Sequence, residues 1–213
     1  MTEPSRLAGL SKLPQKPALS ILAAGDVRLE TPVAGNAKAT PAELLADLDG
    51  QRGQFGTAEI DMLKVLCQTL PPREAVWWAC LAARDLVGEG RHTVDLCVAS
   101  AEAWVFRPGD ETRRKAFAAM QAAKPSDPTS LAAMAAVYAE GTMGPDEMEA
   151  AALQPGMFGN VVLGMVLSGL DAAPEGAEID WMNMLIARGL DIAAGSSGRD
   201  VPVPVDPAPA AEV

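Results

Sequence analysis

"LPPREAVWWACLAAR", residues 70–84, sets two tryptophans side by side in a chain that has only four. Proline in the first turn costs no hydrogen bond, and Glu74 meets the exposed N–H groups and the positive end of the helix dipole, so a helix is expected to start near Pro72. Successive residues stand about 100° apart on the helical wheel, so Trp77 and Trp78 face different neighbours. Trp77 lines up with Arg73 and Leu81, Trp78 with Ala75 and Ala82, and Val76 with Cys80 and Ala83. The apolar arc therefore covers most of the circumference. That is the pattern of a central helix packed on several sides, with both indoles as core filling and each indole N–H in need of an acceptor. The competing use of these residues is an aromatic recognition site in which Arg73 stacks on Trp77, one turn away.

Working outward, the flanking segments read as helices too. Thr40 and Pro41 provide a cap and a first helical residue. Thr57 is placed to cap the next helix, where Ile60, Leu63, Cys67 and Leu70 form one apolar stripe and Asp61, Lys64 and Gln68 fall on a different, polar face. Further helices are expected at about 72–87, 93–106, 110–124 with Asp110 as cap, 128–140 after Asp127, 156–170, and 177–194 before Gly195. Residues 142–155 read as a loop holding one short acidic helix, and no period-two alternation bounded by turn residues calls for a sheet. The expectation is an all-α protein: one domain of seven or eight helices over 41–195, stacked as antiparallel hairpins. Small residues (Ala79, Ala83, Ala116, Ala119 and Ala135) permit close approach of facing helices. Prolines at 4, 14, 17 and 32 mark 1–40 as an extended arm, with the docking of "ALSILAAG" (18–25) left open. The proline-rich stretch 196–213 reads as a disordered tail.

Composition agrees. The chain is 49% hydrophobic but 4% aromatic, so aliphatic and alanine packing must fill the interior. With 17 Lys and Arg against 28 Asp and Glu, its formal charge of −11 repels phosphate backbones and anionic lipid, which excludes nucleic acid as an expected partner. The longest apolar stretch, 156–170, is shorter than the roughly 20 residues of a membrane span, so a buried helix and no membrane insertion are expected. The first residues are broken by Ser, Lys, Gln and Pro before any signal-type apolar run, which points to the cytoplasm.

No motif for a cofactor is present, and none is expected. Cys67, Cys80 and Cys97 each extend an apolar stripe and lack the spacing of a zinc site with the single histidine, His92. The same burial argues against a thiol nucleophile, since a buried thiol resists ionisation. Carboxylates at Asp47, Asp49, Asp61, Glu74 and Asp95 are accounted for by solvated faces and helix starts, and Tyr138 extends the stripe of Leu131, Met134 and Ala135. Trp104 continues the stripe of Val94, Cys97, Val98, Ala101 and Val105, while Trp181 aligns with Leu185 and Ile192. What remains as a candidate partner- or ligand-binding set is Arg73, Trp77, Trp104 and the basic pair Arg113 and Arg114.

The block "LPPREAVWWACLAAR", followed by "AEAWVFRP" and "RRKAF", resembles a family of functionally uncharacterised proteobacterial proteins whose members tend to be encoded near type VI secretion spike and adaptor modules. The resemblance spans roughly 57–171 and brings no assigned catalytic or ligand residue with it. It implies a non-enzymatic interaction protein, an accessory or adaptor whose partner is a secretion spike, tip or effector component. Two other readings stay open: a small-ligand binder or enzyme with a pocket between helices near Arg73, Trp77 and Trp104, and an immunity-type protein that neutralises a toxic effector.

Overall fold

The computed structural model describes residue 7 and residues 9–33, 36–53, 56–88 and 95–204. Over these residues the chain forms helices α1 (Ala18–Ala24), α2 (Pro41–Gly50), α3 (Ala58–Thr69), α4 (Pro72–Val87), α5 (Leu96–Phe106), α6 (Asp110–Ala122), α7 (Ser130–Tyr138), α8 (Met157–Ser168) and α9 (Glu178–Ala194). Single 3₁₀ turns occupy Asp146–Ala150 and Gly169–Ala172. Among the described residues there is no strand, only an isolated bridge between Thr142 and Ala152. The fold is all-α, as expected, with α1 added to the eight helices read from the sequence.

The starts of α2 and α5 follow local capping chemistry. Thr40 accepts the Glu43 N–H at 3.4 Å while Glu43 accepts the Thr40 N–H at 2.8 Å, a reciprocal cap that launches α2 behind Pro41. Asp95 caps α5 by accepting the Val98 N–H at 3.0 Å. Three expectations fail in instructive ways. Asp110 is the first helical residue of α6 rather than its cap, Gly109 standing before it. Asp127 binds the N–H and hydroxyl of Thr129, and the regular helix begins only at Ser130. Thr57 precedes α3 but makes no cap bond; its hydroxyl lies 2.8 Å from that of Thr31.

α4 is the hub. It packs against α5, α7, α8, α9 and the 169–172 turn, while α3 lies on α1, α2, α8 and α9, and α5, α6 and α7 pack on one another. Trp78 is fully buried at the centre. A side chain at position 189 would put its Cβ 2.8 Å from Trp78 Cζ2 and 3.0 Å from Leu66 Cδ1, so only glycine lets α9 lie against the indole and α3 together. A buried pair, Arg188 and Asp85, clamps α9 to α4 through both terminal guanidinium nitrogens. Burial pushes the Asp85 carboxyl above its ordinary value, against the opposing pull of the Arg188 guanidinium.

The segment expected to be an extended arm is folded onto the body over its described part. Leu10, Leu13, Ala18 and Leu22 are buried, and α1 packs on α3. The backbone is tied by Lys12 N–H to Ala193 O at 2.9 Å and Ala18 N–H to Ala39 O at 2.8 Å. Asp61, placed by the sequence on a polar outer face, is fully buried. Its carboxylate accepts the N–H groups of Glu30 and Thr31 at 2.8 and 2.7 Å and pairs with Lys64 at 2.9 Å. The polar edge of α3 is thus the seat of the arm. A third tie is steric: Gly25 and Gly156 meet backbone to backbone, a Cβ on Gly156 falling 2.6 Å from Gly25 Cα.

The tail expectation also changes, because residues 196–204 return along α9 and α4. Gly198 N–H donates to Asp191 Oδ2 at 2.8 Å, and Gly198 is buried. Residues 205–213 lie outside the described residues, as do 91–94, where His92 and Val94 fall. No helix among the described residues is long and apolar enough to cross a membrane.

Replacing Asp61 by alanine strands two arm N–H groups and the Lys64 charge. Asp61→Ala is therefore expected to lower stability by about 3 kcal/mol in denaturant unfolding, and to let trypsin cut after Arg28 under conditions that leave the wild-type arm intact.

Candidate functional site

The two indoles part company. Trp78 faces inward, whereas Trp77, one position back, is half-buried at the surface. Its indole N–H donates to Ser197 O at 2.7 Å, so the chain that leaves α9 is pinned across its edge. The Phe106 ring, 62% exposed at the end of α5, stands 5.8 Å from the Trp77 ring at 58°. Two guanidiniums lie over Trp77, that of Arg199 at 4.6 Å from the ring centroid and that of Arg84 at 5.3 Å. Each such contact contributes about 0.5–1 kcal/mol at an exposed site.

Trp77, Phe106, Ser197 and Arg199 line a groove of about 470 Å³ between α4, the end of α5 and residues 195–199. Arg73, Arg199 and Glu74 bring charge to it. Glu74 is taken by Lys12 at 2.8 Å, and Arg73 spends its Nε on Val105 O at 2.7 Å. Neither Arg73 nor Arg199 forms an ion pair among the described residues. Arg84 does pair, with Glu102, and that hydrogen bond raises its already high pKa. The groove is thus an aromatic floor beside two exposed, uncompensated cations, in a chain whose net charge is −11. Such a floor accepts an apolar group while the cations select a carboxylate or another anion beside it.

The sequence-predicted set divides here. Arg73 and Trp77 belong to the groove, but they do not stack: Arg84 and Arg199 occupy the indole faces. Trp104 is 4% exposed and lies in the core. Arg113, at 1% exposed, is no surface contact either: its Nε donates to Val137 O at 2.8 Å, with Glu140 at 3.4 Å and Glu149 at 3.5 Å. It holds α6 to the end of α7 and the following loop. Arg114 is exposed near the start of α6, with its Nε 3.0 Å from Asp146, a hydrogen bond that raises its pKa. Phe106, Ser197 and Arg199 escaped the sequence reading. Phe106 continued a core-like helix, and the two others sat in a segment whose composition reads as unstructured.

Two other features merit comparison. A groove of about 530 Å³ runs between α1 and the start of α8, lined by Lys16, Ile21, Gln68 and Phe158 among others. Gln68 is already engaged, donating to Gly156 O at 3.2 Å and Asn160 Oδ1 at 3.0 Å, so this groove offers less unspent polarity. Asp110, Glu140 and Glu149 converge on the surface, with Arg113 beneath them compensating their charge. The thiols are distant from such chemistry. Cys67 and Cys80 are fully buried with their pKa raised by burial, and Cys97 is pushed up to about 11, first by burial and then by Asp95 and Asp127.

Residues 52–193 match the model of a family of unknown function, DUF6931, while no curated protein and no solved structure matches the chain. The match holds Arg73, Trp77 and Phe106 but ends before Ser197 and Arg199, so the groove joins family framework to a segment beyond it.

Two outcomes are expected in solution. Since Trp78, Trp104 and Trp181 are buried and Trp77 is not, Trp77→Phe is expected to remove most of the iodide-quenchable tryptophan emission. All three cysteines are expected to resist a disulfide reagent at pH 8 in the native state and to react on denaturation, because burial leaves less than about one thiol in a hundred ionised.

Proposed function

We propose that this chain, which belongs to the DUF6931 family, is a non-enzymatic interaction protein that docks an acidic segment of a protein partner in the Trp77 groove. The observation that carries this reading is the pairing of an aromatic floor, Trp77 and Phe106, with the uncompensated guanidiniums of Arg73 and Arg199. An aliphatic or proline side chain of the partner rests on the exposed Phe106 ring beside the arginine-covered Trp77, and its flanking Asp or Glu meets the arginines. The negative net charge does not forbid this. At physiological ionic strength charges beyond about 8 Å are screened, so the guanidiniums at the groove outweigh distant carboxylates. Buried, un-ionised thiols favour a binding role over nucleophilic catalysis.

The finer role we propose is that of a cytoplasmic accessory or adaptor for a type VI secretion spike, tip or effector component. It is supported by the likeness of "LPPREAVWWACLAAR" and the helices after it to proteins encoded beside such systems. A groove of about 470 Å³ is also in the size range of small-molecule sites, and this favours one second reading, a binder of small aromatic carboxylates.

The test uses the immobilised full chain and its Trp77→Ala/Arg199→Ala double variant in lysate of the native host. Wild type is expected to retain a spike, tip or effector protein, with at least about tenfold less on the variant. Retention of none of these overturns the secretion role, and equal retention by the variant overturns the groove. Calorimetric binding of phenylacetate below about 100 µM transfers the site to the small-ligand reading.

A further inference from the structure

α5 is apolar on more sides than its neighbours among the described residues use. It packs on α4, α6 and α7 through Cys97, Val98, Ala101, Trp104 and Val105, all buried. Its remaining side presents Leu96, 70% exposed, Ala99 and Ala103, half-buried, and Phe106, 62% exposed. At 100° per residue these four lie within an arc of about 80°, a continuous apolar seam of three turns. Exposed leucine and phenylalanine at the ends of one such seam mark a contact surface.

The order of residues along the seam says what covers it. Leu96 and Phe106 are equidistant from position 101, and so are Ala99 and Ala103. A helix running antiparallel over the seam therefore meets large against large at each end and small against small in the middle, when that helix is α5 of another copy. The charges repeat the pattern. At the start of α5 the carboxylates of Asp95 and Asp127 share the Thr129 hydroxyl. At its end stand Arg107, Arg73 bonded to Val105 O, and Arg199 over the ring that Phe106 touches. Antiparallel packing lays the acidic end of one helix beside the basic end of the other and opposes the two helix dipoles favourably.

We infer that the seam is an interface between two copies of the chain, packed antiparallel about a twofold axis that crosses the seam midway between Ala99 and Ala103. Such an interface is isologous: Leu96 of each copy meets Phe106 of the other. One pair of helix faces buries less than the roughly 800 Å² per partner of a standard stable interface, so the dimer forms in the micromolar range. This inference does not rest on the peptide-docking reading, although Phe106, Arg73 and Arg199, which line the groove, also stand at the basic end of the seam.

Sedimentation equilibrium of the full chain between about 1 and 200 µM tests it, with Leu96→Glu, Phe106→Lys and their equimolar mixture alongside. Both positions are largely exposed, so the variants are expected to keep wild-type circular dichroism and thermal unfolding. Wild type is expected to dimerise, and each variant to associate at least about tenfold more weakly. Mixing the two is expected to restore dimers, because the carboxylate introduced in one chain then faces the ammonium introduced in the other, a pairing that only the antiparallel arrangement creates. A wild type monomeric at every concentration overturns the inference. So does undiminished association of Leu96→Glu, or a mixture no stronger than its components.

Discussion

The fold depends on a notch. Trp78 occupies the space left at position 189 by the absence of a side chain, and through that contact α4 is held against α9 while Leu66 of α3 closes the other side. A tryptophan buries far more surface than any neighbour in this alanine-rich interior, so its seat dictates the spacing of the helices around it. The Arg188 and Asp85 pair then sets the register of α4 and α9, since both partners are too deep to exchange one another for water. Everything at the surface of α4, including the position of Trp77, follows from that register.

Buried charge plays a second, distinct part, which is to attach segments with no regular structure of their own. Asp61 holds the backbone near Glu30 and Thr31, and Arg113 holds the chain between α7 and α8. Each ends a run of backbone groups that lack secondary-structure partners, and each is costly to bury unless all its bonding capacity is met. The Trp77 groove arises by the same principle in a milder form. Ser197 O supplies the acceptor that the Trp77 indole needs, and the tail so held becomes one wall. By contrast, the indole N–H groups of Trp78, Trp104 and Trp181 have no acceptor among the described residues.

The surfaces described on α4 and α5 share one edge, where Phe106 meets Trp77. One is concave and cationic, the other convex and apolar. Phe106 is shared by both, ending the apolar seam of α5 and lining the Trp77 groove.

What the sequence by itself determined is what local rules govern: the start of α2 at Thr40 and Pro41, the span of α4 from 72 to 87, the all-α class, and the centrality of the helix with two tryptophans. Those features depend on groups three or four residues apart, and spacing exposes them directly. Only the tertiary structure decided which arc of each helix is spent on which neighbour. Asp61 and Lys64 read as solvated because nothing near them in sequence reveals the distant segment they hold, and Arg113 and Arg114 read alike although one is buried and the other exposed. Trp77 and Trp78 differ by a single step of about 100°, and a helix apolar nearly all round does not say which step meets α9 and which meets water. Arg199 became part of a site for the same reason: the ring it covers belongs to α4, far back along the chain, and composition carries no trace of a contact made at that separation.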